Sequence, residues 1–134
     1  MDEEKVISFM PRKDVEYLKS KQYQFNQVLD GNTKCLIIDN YPLPEGKYNY
    51  PSVQLLIVIP DGYNDTHPDM FFCNPHLILT ATGSEPAATN GRVSYHNIQW
   101  QQWSRHSNLG NDWRAGIDGI MSHLRKVDNA LQIG

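Results

Sequence analysis

Apolar positions along this chain change their period from segment to segment, and each change marks an element. Val15 and Leu18 stand at a helical interval within residues 11–20, and Pro11 suits a first turn. This predicts a short amphipathic helix. Tyr23 to Leu29 then alternates, Asp30-Gly31-Asn32 is a turn signal, and Lys34 to Ile38 is a second strand, so residues 23–38 read as a hairpin. The prolines between Tyr41 and Pro51 break regular pairing, because proline removes a ladder donor. Val53 to Ile59 is an apolar run interrupted only by Gln54, which predicts a central strand covered on both faces, ended by Pro60-Asp61-Gly62. Met70-Phe71-Phe72-Cys73 predicts a further strand, with His76 to Leu79 continuing it beyond Asn74-Pro75.

Residues 82–91 are small and polar with Pro and Gly, which predicts a mobile loop. From Arg114 to Leu131, the residues Ile117, Ile120, Met121, Leu124, Val127 and Leu131 recur every three or four positions, an apolar stripe on one helix. Asp112 is placed to cap it. The order is helix, antiparallel strands, long irregular segment, helix: an α+β domain with a meander sheet.

Composition narrows the function classes. With 134 residues the chain suits one domain over 1–134, large enough for a core without staples. A net charge of −3 gives no electrostatic reason to expect nucleic acid or an anionic membrane as partner. The longest apolar run, Leu55 to Ile59, is far short of a membrane span, and the charged start Met1-Asp2-Glu3-Glu4-Lys5 does not read as a signal peptide. Two cysteines, Cys35 and Cys73, make no disulfide framework, so a cytoplasmic setting is expected. Cys35 reads as a small core residue.

The chemistry-bearing stretch is Tyr95 to His106, closed off by Asp112-Trp113. It gathers a hydroxyl, imidazoles and carboxamides among Trp100, Trp103 and Trp113. Buried polar groups must find partners, so the cluster reads as a surface site walled by the three indoles. The alternative is an aromatic mini-core whose polar neighbours point to water.

Several motifs together resemble the ubiquitin-conjugating enzyme superfamily. Ile59-Pro60-Asp61-Gly62-Tyr63 followed by Pro68 looks like its tyrosine-proline segment, with Asn64 where proline usually sits. Tyr95-His96-Asn97-Ile98 looks like its His-Pro-Asn motif without the proline, and Trp113-Arg114-Ala115-Gly116 like the tryptophan opening the next helix. Leu43-Pro44, Pro68-Asp69-Met70, Trp100 with Trp103-Ser104-Arg105-His106, and Trp113-Arg114 with Gly116 and Asp118 are similar to a bacterial branch, prokaryotic family E. The resemblance covers residues 12–131. It implies a ubiquitin-conjugating-like fold and, as partners, a ubiquitin-like modifier, an activating enzyme and a protein target. The activating enzyme is then expected on the N-terminal helix, where Arg12, Lys13 and Lys19 add positive charge.

One departure governs the expected chemistry. In the eukaryotic relatives a cysteine lies about eight residues after the motif asparagine and about eight before the tryptophan. Here that window holds Ser104-Arg105-His106, with Ser104 seven residues after Asn97 and nine before Trp113. Two readings follow. In the first, Ser104 carries the modifier's carboxyl as an oxyester, and His106, on the same side of an extended segment, takes the hydroxyl proton. Asn97 donates to the oxyanion, and Arg105 holds the modifier's tail or that oxyanion. In the second, the domain has lost transfer chemistry and binds the modifier or its activating enzyme. Structural roles stand beside each residue: Ser104 as a turn former, His106 stacked on an indole, Arg105 as a surface charge, Asn97 as a loop brace.

Remaining constellations are weak. Cys73-Asn74-Pro75-His76 has ligand-like spacing that His96 or His106 would complete, but a lone pair does not make a zinc site. Asp61, Asp65 and Asp69 lack the calcium-loop pattern, and no phosphate-cradling motif is present. Neither a metal nor a cofactor is expected. Cys73 as a displaced thioester nucleophile stays open as a minor alternative.

Overall fold

A computed structural model of the chain describes residues 8–104 and 113–134. In chain order it places helix α1 (Arg12–Ser20), strands β1 (Phe25–Asp30), β2 (Thr33–Pro42), β3 (Ser52–Ile59), β4 (Phe71–Asn74), β5 (Gly91–Tyr95) and β6 (Ile98–Trp103), and helix α2 (Ile120–Ile133). The strands form one six-stranded sheet in the order β1-β2-β3-β4-β6-β5, every pair antiparallel. The chain is α+β, as expected.

Side chains alternate across the strands, and each face of the sheet carries its own core. On one face, Leu36, Ile38, Leu55, Ile57, Phe71, Cys73 and Trp103 pack with Leu18 of α1 and with Ile120, Leu124, Val127 and Leu131 of α2. Polar ties fix the helices there. The Tyr48 hydroxyl donates to the Leu131 carbonyl at 2.6 Å, and the Tyr41 hydroxyl donates to Asp128. Buried Asp14 of α1 accepts from the Tyr63 hydroxyl at 2.7 Å and from the Ile120 N–H at 3.2 Å, so one carboxylate joins α1, the β3–β4 connection and the start of α2.

No helix covers the other face among the described residues, yet Cys35, Ile37, Leu56, Phe72 and Trp100 are buried on it. The sheet covers itself. In a flat sheet the outermost strands β1 and β5 would stand about 20 Å apart or more. Instead the His96 N–H, in the β5–β6 turn, donates to Asp30 at the end of β1 at 3.2 Å, and the Tyr95 ring meets Phe72 edge-on at 5.4 Å. The β5–β6 hairpin therefore curls over the second face and closes its core.

Three expectations are corrected. Residues 76–79 do not continue β4; only Leu79 bridges, to Tyr48. The last helix starts at Ile120, not Arg114, because Gly116 adopts φ +76° and the Asp118 carboxylate turns back onto the Arg114 N–H at 2.7 Å. Ile117 and Met121 consequently leave the buried stripe, 61% and 40% exposed, while His123 joins it. Finally, Trp100, Trp103 and Trp113 do not wall an open groove. Trp100 and Trp103 are fully buried on opposite faces of the sheet, three residues apart on β6, and Trp113 is 9% exposed. Asp112, the expected cap, lies outside the described residues.

Candidate functional site

Ser104 follows directly on β6, beside the start of β4, since Trp103 pairs with Phe71. It is half-buried. Its N–H donates to the Ala88 carbonyl at 3.1 Å, and its Oγ accepts from Gln102 Nε2 at 3.1 Å. The same amide nitrogen lies 3.5 Å from Met70 Sδ. Gln102 of β6 and Ser104, two residues on, have side chains that meet on one side of the chain. Opposite Gln102 in the register is Gly91, where an added Cβ would stand 3.4 Å from the Gln102 Cβ.

The approach to this end of β6 is set by a buried amide. Gln101 Nε2 donates to the Leu77 carbonyl at 3.1 Å and to Glu85 at 3.0 Å, while its Oε1 accepts from the Leu77 N–H at 2.9 Å and from Trp103 Nε1 at 3.0 Å. Every donor and acceptor of that amide is used. Glu85 also accepts from Arg92 at 2.8 Å, and the hydrogen bond from Gln101, then that from Arg92, holds its carboxyl below the usual range. Residues 82–91 thus border Ser104 and are pinned to the sheet at Glu85 by Gln101, at Thr89, whose carbonyl accepts from Arg92 at 2.8 Å, and at Ala88 by the Ser104 N–H.

The other expected site residues divide. Asn97 does not meet Ser104. It is exposed in the two-residue β5–β6 turn, where His96 and Asn97 both have positive φ (+53° and +63°). From there to Ser104 runs the whole of β6, about 20 Å of extended chain. An oxyanion role for Asn97 at Ser104 is therefore set aside, and the turn is its structural role. Arg105 and His106 lie outside the described residues.

Neither thiol reaches the surface. Cys35 and Cys73 are fully buried, one in each core. Burial, with the Asp30 charge second, pushes the Cys35 thiol up to about 11, and burial alone raises that of Cys73. A thioester on Cys73 would need the core opened. No set of three His, Cys, Asp or Glu side chains is arranged to hold a metal among the described residues.

One polar residue near the site was missed from sequence. His123 is 3% exposed, with Nε2 3.4 Å from the Met70 carbonyl and no partner for Nδ1 among the described residues. Because a carbonyl only accepts, Nε2 carries the proton there. Burial lowers the imidazole to about 4, so it is neutral at pH 7. The available signal was a histidine three residues after Ile120, within the apolar stripe. Trp113 packs nearby, its Nε1 donating to the Asn64 carbonyl at 2.8 Å and its ring 5.9 Å from His67.

Met70 also lines a pocket of about 370 Å³ on the concave side, with Val58, Pro60, His67, Phe72 and Tyr95 among its walls. No helix among the described residues is long and apolar enough to cross a membrane. Compared with known families, residues 10–133 match the family described as Prokaryotic E2 family E. No curated protein and no solved structure matches the chain.

Proposed function

The chain belongs to prokaryotic E2 family E, and from that membership we propose a ubiquitin-conjugating-like acyl carrier. It takes a ubiquitin-like modifier from an activating enzyme as an oxyester on Ser104 and passes it to a protein target. The ubiquitin-conjugating fold belongs to the same proposal, supported by a helix before the meander and a helix after it. Docking of the activating enzyme on α1, near Arg12, Lys13 and Lys19, belongs to it too.

Accessibility carries the reading. Both thiols are sealed in separate cores, whereas Ser104 is only half-buried at a strand end, with one hydrogen bond already given to its oxygen. A serine hydroxyl needs a base, and His106, two residues on, is proposed for it; Arg105 is proposed for the modifier's tail or the oxyanion.

The same sealed thiols favour a second reading, in which the domain has no transfer chemistry and recognises the modifier or the activating enzyme. Incubation with modifier, activating enzyme and ATP separates the two. An adduct that survives thiol reductant, yields to alkali and disappears in Ser104→Ala supports the carrier. Retained binding without any adduct supports the adaptor.

A further inference from the structure

Asn97 stands at the far end of β6 from Ser104, so an amide serving that hydroxyl has to come from elsewhere. Gln102 is already in place. Its Nε2 is 3.1 Å from Ser104 Oγ and 3.5 Å from Met70 Sδ, and its stem lies across from Gly91 in the β5–β6 register. We propose that Gln102 is the positioning residue of the Ser104 nucleophile, an inference that rests on the acyl-carrier reading. It fixes the hydroxyl's rotamer and stabilises negative charge as it builds on Oγ.

The chemistry follows from the donor's direction. A hydrogen bond donated to an oxygen favours its charged form. In the transfer, the Ser104 hydroxyl gives its proton to a base while Oγ bonds the carbonyl carbon of a thioester on the activating enzyme. The C–S bond breaks, and the thiolate leaves and takes up the proton. Gln102 supplies no proton in this sequence. Its N–H stays on nitrogen and holds Oγ as the proton departs, before the negative charge passes to the carbonyl oxygen. A sulfur nucleophile would need it far less, because a thiol ionises near neutrality and sulfur is a weak acceptor.

That difference supplies the test. N-acetylglycine benzyl thioester serves as a common acyl donor, and acylation at position 104 is followed by intact mass and located by tandem mass spectrometry. Gln102→Met keeps the side chain's length and removes the donor without adding a charge. It is expected to slow acylation of Ser104 by tenfold or more, while Gln102→Met in a Ser104→Cys background changes the rate less than about threefold, with thermal midpoints alike. Equal losses in both backgrounds overturn the proposal and leave Gln102 as packing. Unchanged acylation in Gln102→Met, with Ser104→Ala inert, overturns the role of Gln102 alone. Acylation that persists in Ser104→Ala, or that occurs neither on Ser104 nor on the thiol introduced by Ser104→Cys, overturns the acyl-carrier reading itself and the inference with it.

Discussion

His123 turns the buried architecture behind the site into a measurable pH dependence. In the folded chain its imidazole is pushed from the ordinary 6.5 down to about 4, chiefly by burial and also by the nearby charges of Lys126 and His67, partly offset by its Met70 bond and by Asp69. Unfolding returns the ring to water, where it protonates below pH 6.5. The unfolded state then binds more protons than the folded one, so stability falls as pH falls. The contribution is complete above pH 6.5 and is lost through the window down to pH 4. From the two values, the loss is about 1 kcal/mol by pH 5.5 and approaches about 3 kcal/mol near pH 4. Urea unfolding followed by tryptophan fluorescence, at steps from pH 7.5 to 4.5, would be run on the wild type and on His123→Leu. Leucine fits the apolar surroundings and removes Nδ1, which has no partner among the described residues, so the two proteins are expected within about 1 kcal/mol at pH 7.5. His67, Asp69 and Lys126 are common to both, so the difference between the curves isolates His123. The leucine variant should gain on the wild type as pH falls. Parallel curves would show that His123 is not a neutral, buried ring in solution, and the reasoning would be refuted.

Other consequences are as direct. Asn97→Gly should raise the thermal midpoint, by an amount equivalent to less than about 1 kcal/mol, because glycine relieves a left-handed turn position; Ser104 adduct yield should not change. Loss of adduct with a retained midpoint would restore a chemical role to Asn97. Both thiols should resist an aromatic disulfide reagent in the native protein and react in denaturant; fast native labelling of Cys73 would reopen it as a carrier. Gly119→Ala places a Cβ 2.5 Å from Asp14 Oδ1, so the carboxylate must leave the start of α2, at a cost of about 1–3 kcal/mol by chemical denaturation. A neutral outcome there would mean that Asp14 does not tie the helices together.

Much of the fold was legible because its periods are clean. The hairpin of β1 and β2 followed from Asp30-Gly31-Asn32 between two strand-like segments, and β3 from the apolar run Leu55 to Ile59, since a central strand is covered on both faces. The start of α2 was misread because the stripe is continuous when only spacing is counted. Ile117 keeps the helical interval but sits in a turn fixed by Gly116 and the Asp118 carboxylate, and neither constraint follows from periodicity. The indoles were misplaced for a related reason. Local crowding of polar residues says nothing about which face of a strand each side chain takes. On β6, Trp103 and Gln101 share one face, and Trp100 lies on the other with Gln102.

The β5–β6 hairpin shows how a motif resemblance can displace a simpler physical signal. Val93 and Tyr95 alternate before His96-Asn97, and Ile98 and Trp100 alternate after it. This is the pattern of two strands around a two-residue turn, and Val93↔Trp100 and Tyr95↔Ile98 are its observed pairs. Asparagine at a left-handed position is what such a turn favours, so Asn97 has a sufficient reason to be there without touching substrate. Once the hairpin is recognised, its geometry dictates the rest. A strand of six residues must separate the turn from Ser104 by most of its length, and alternation must return Gln102 to the face of Ser104. The amide beside the hydroxyl is therefore fixed by strand period rather than by the motif. The curl that closes the second core is also what brings the β5–β6 turn against Asp30, so the hairpin that seals Cys35 from solvent also carries the serine at its end.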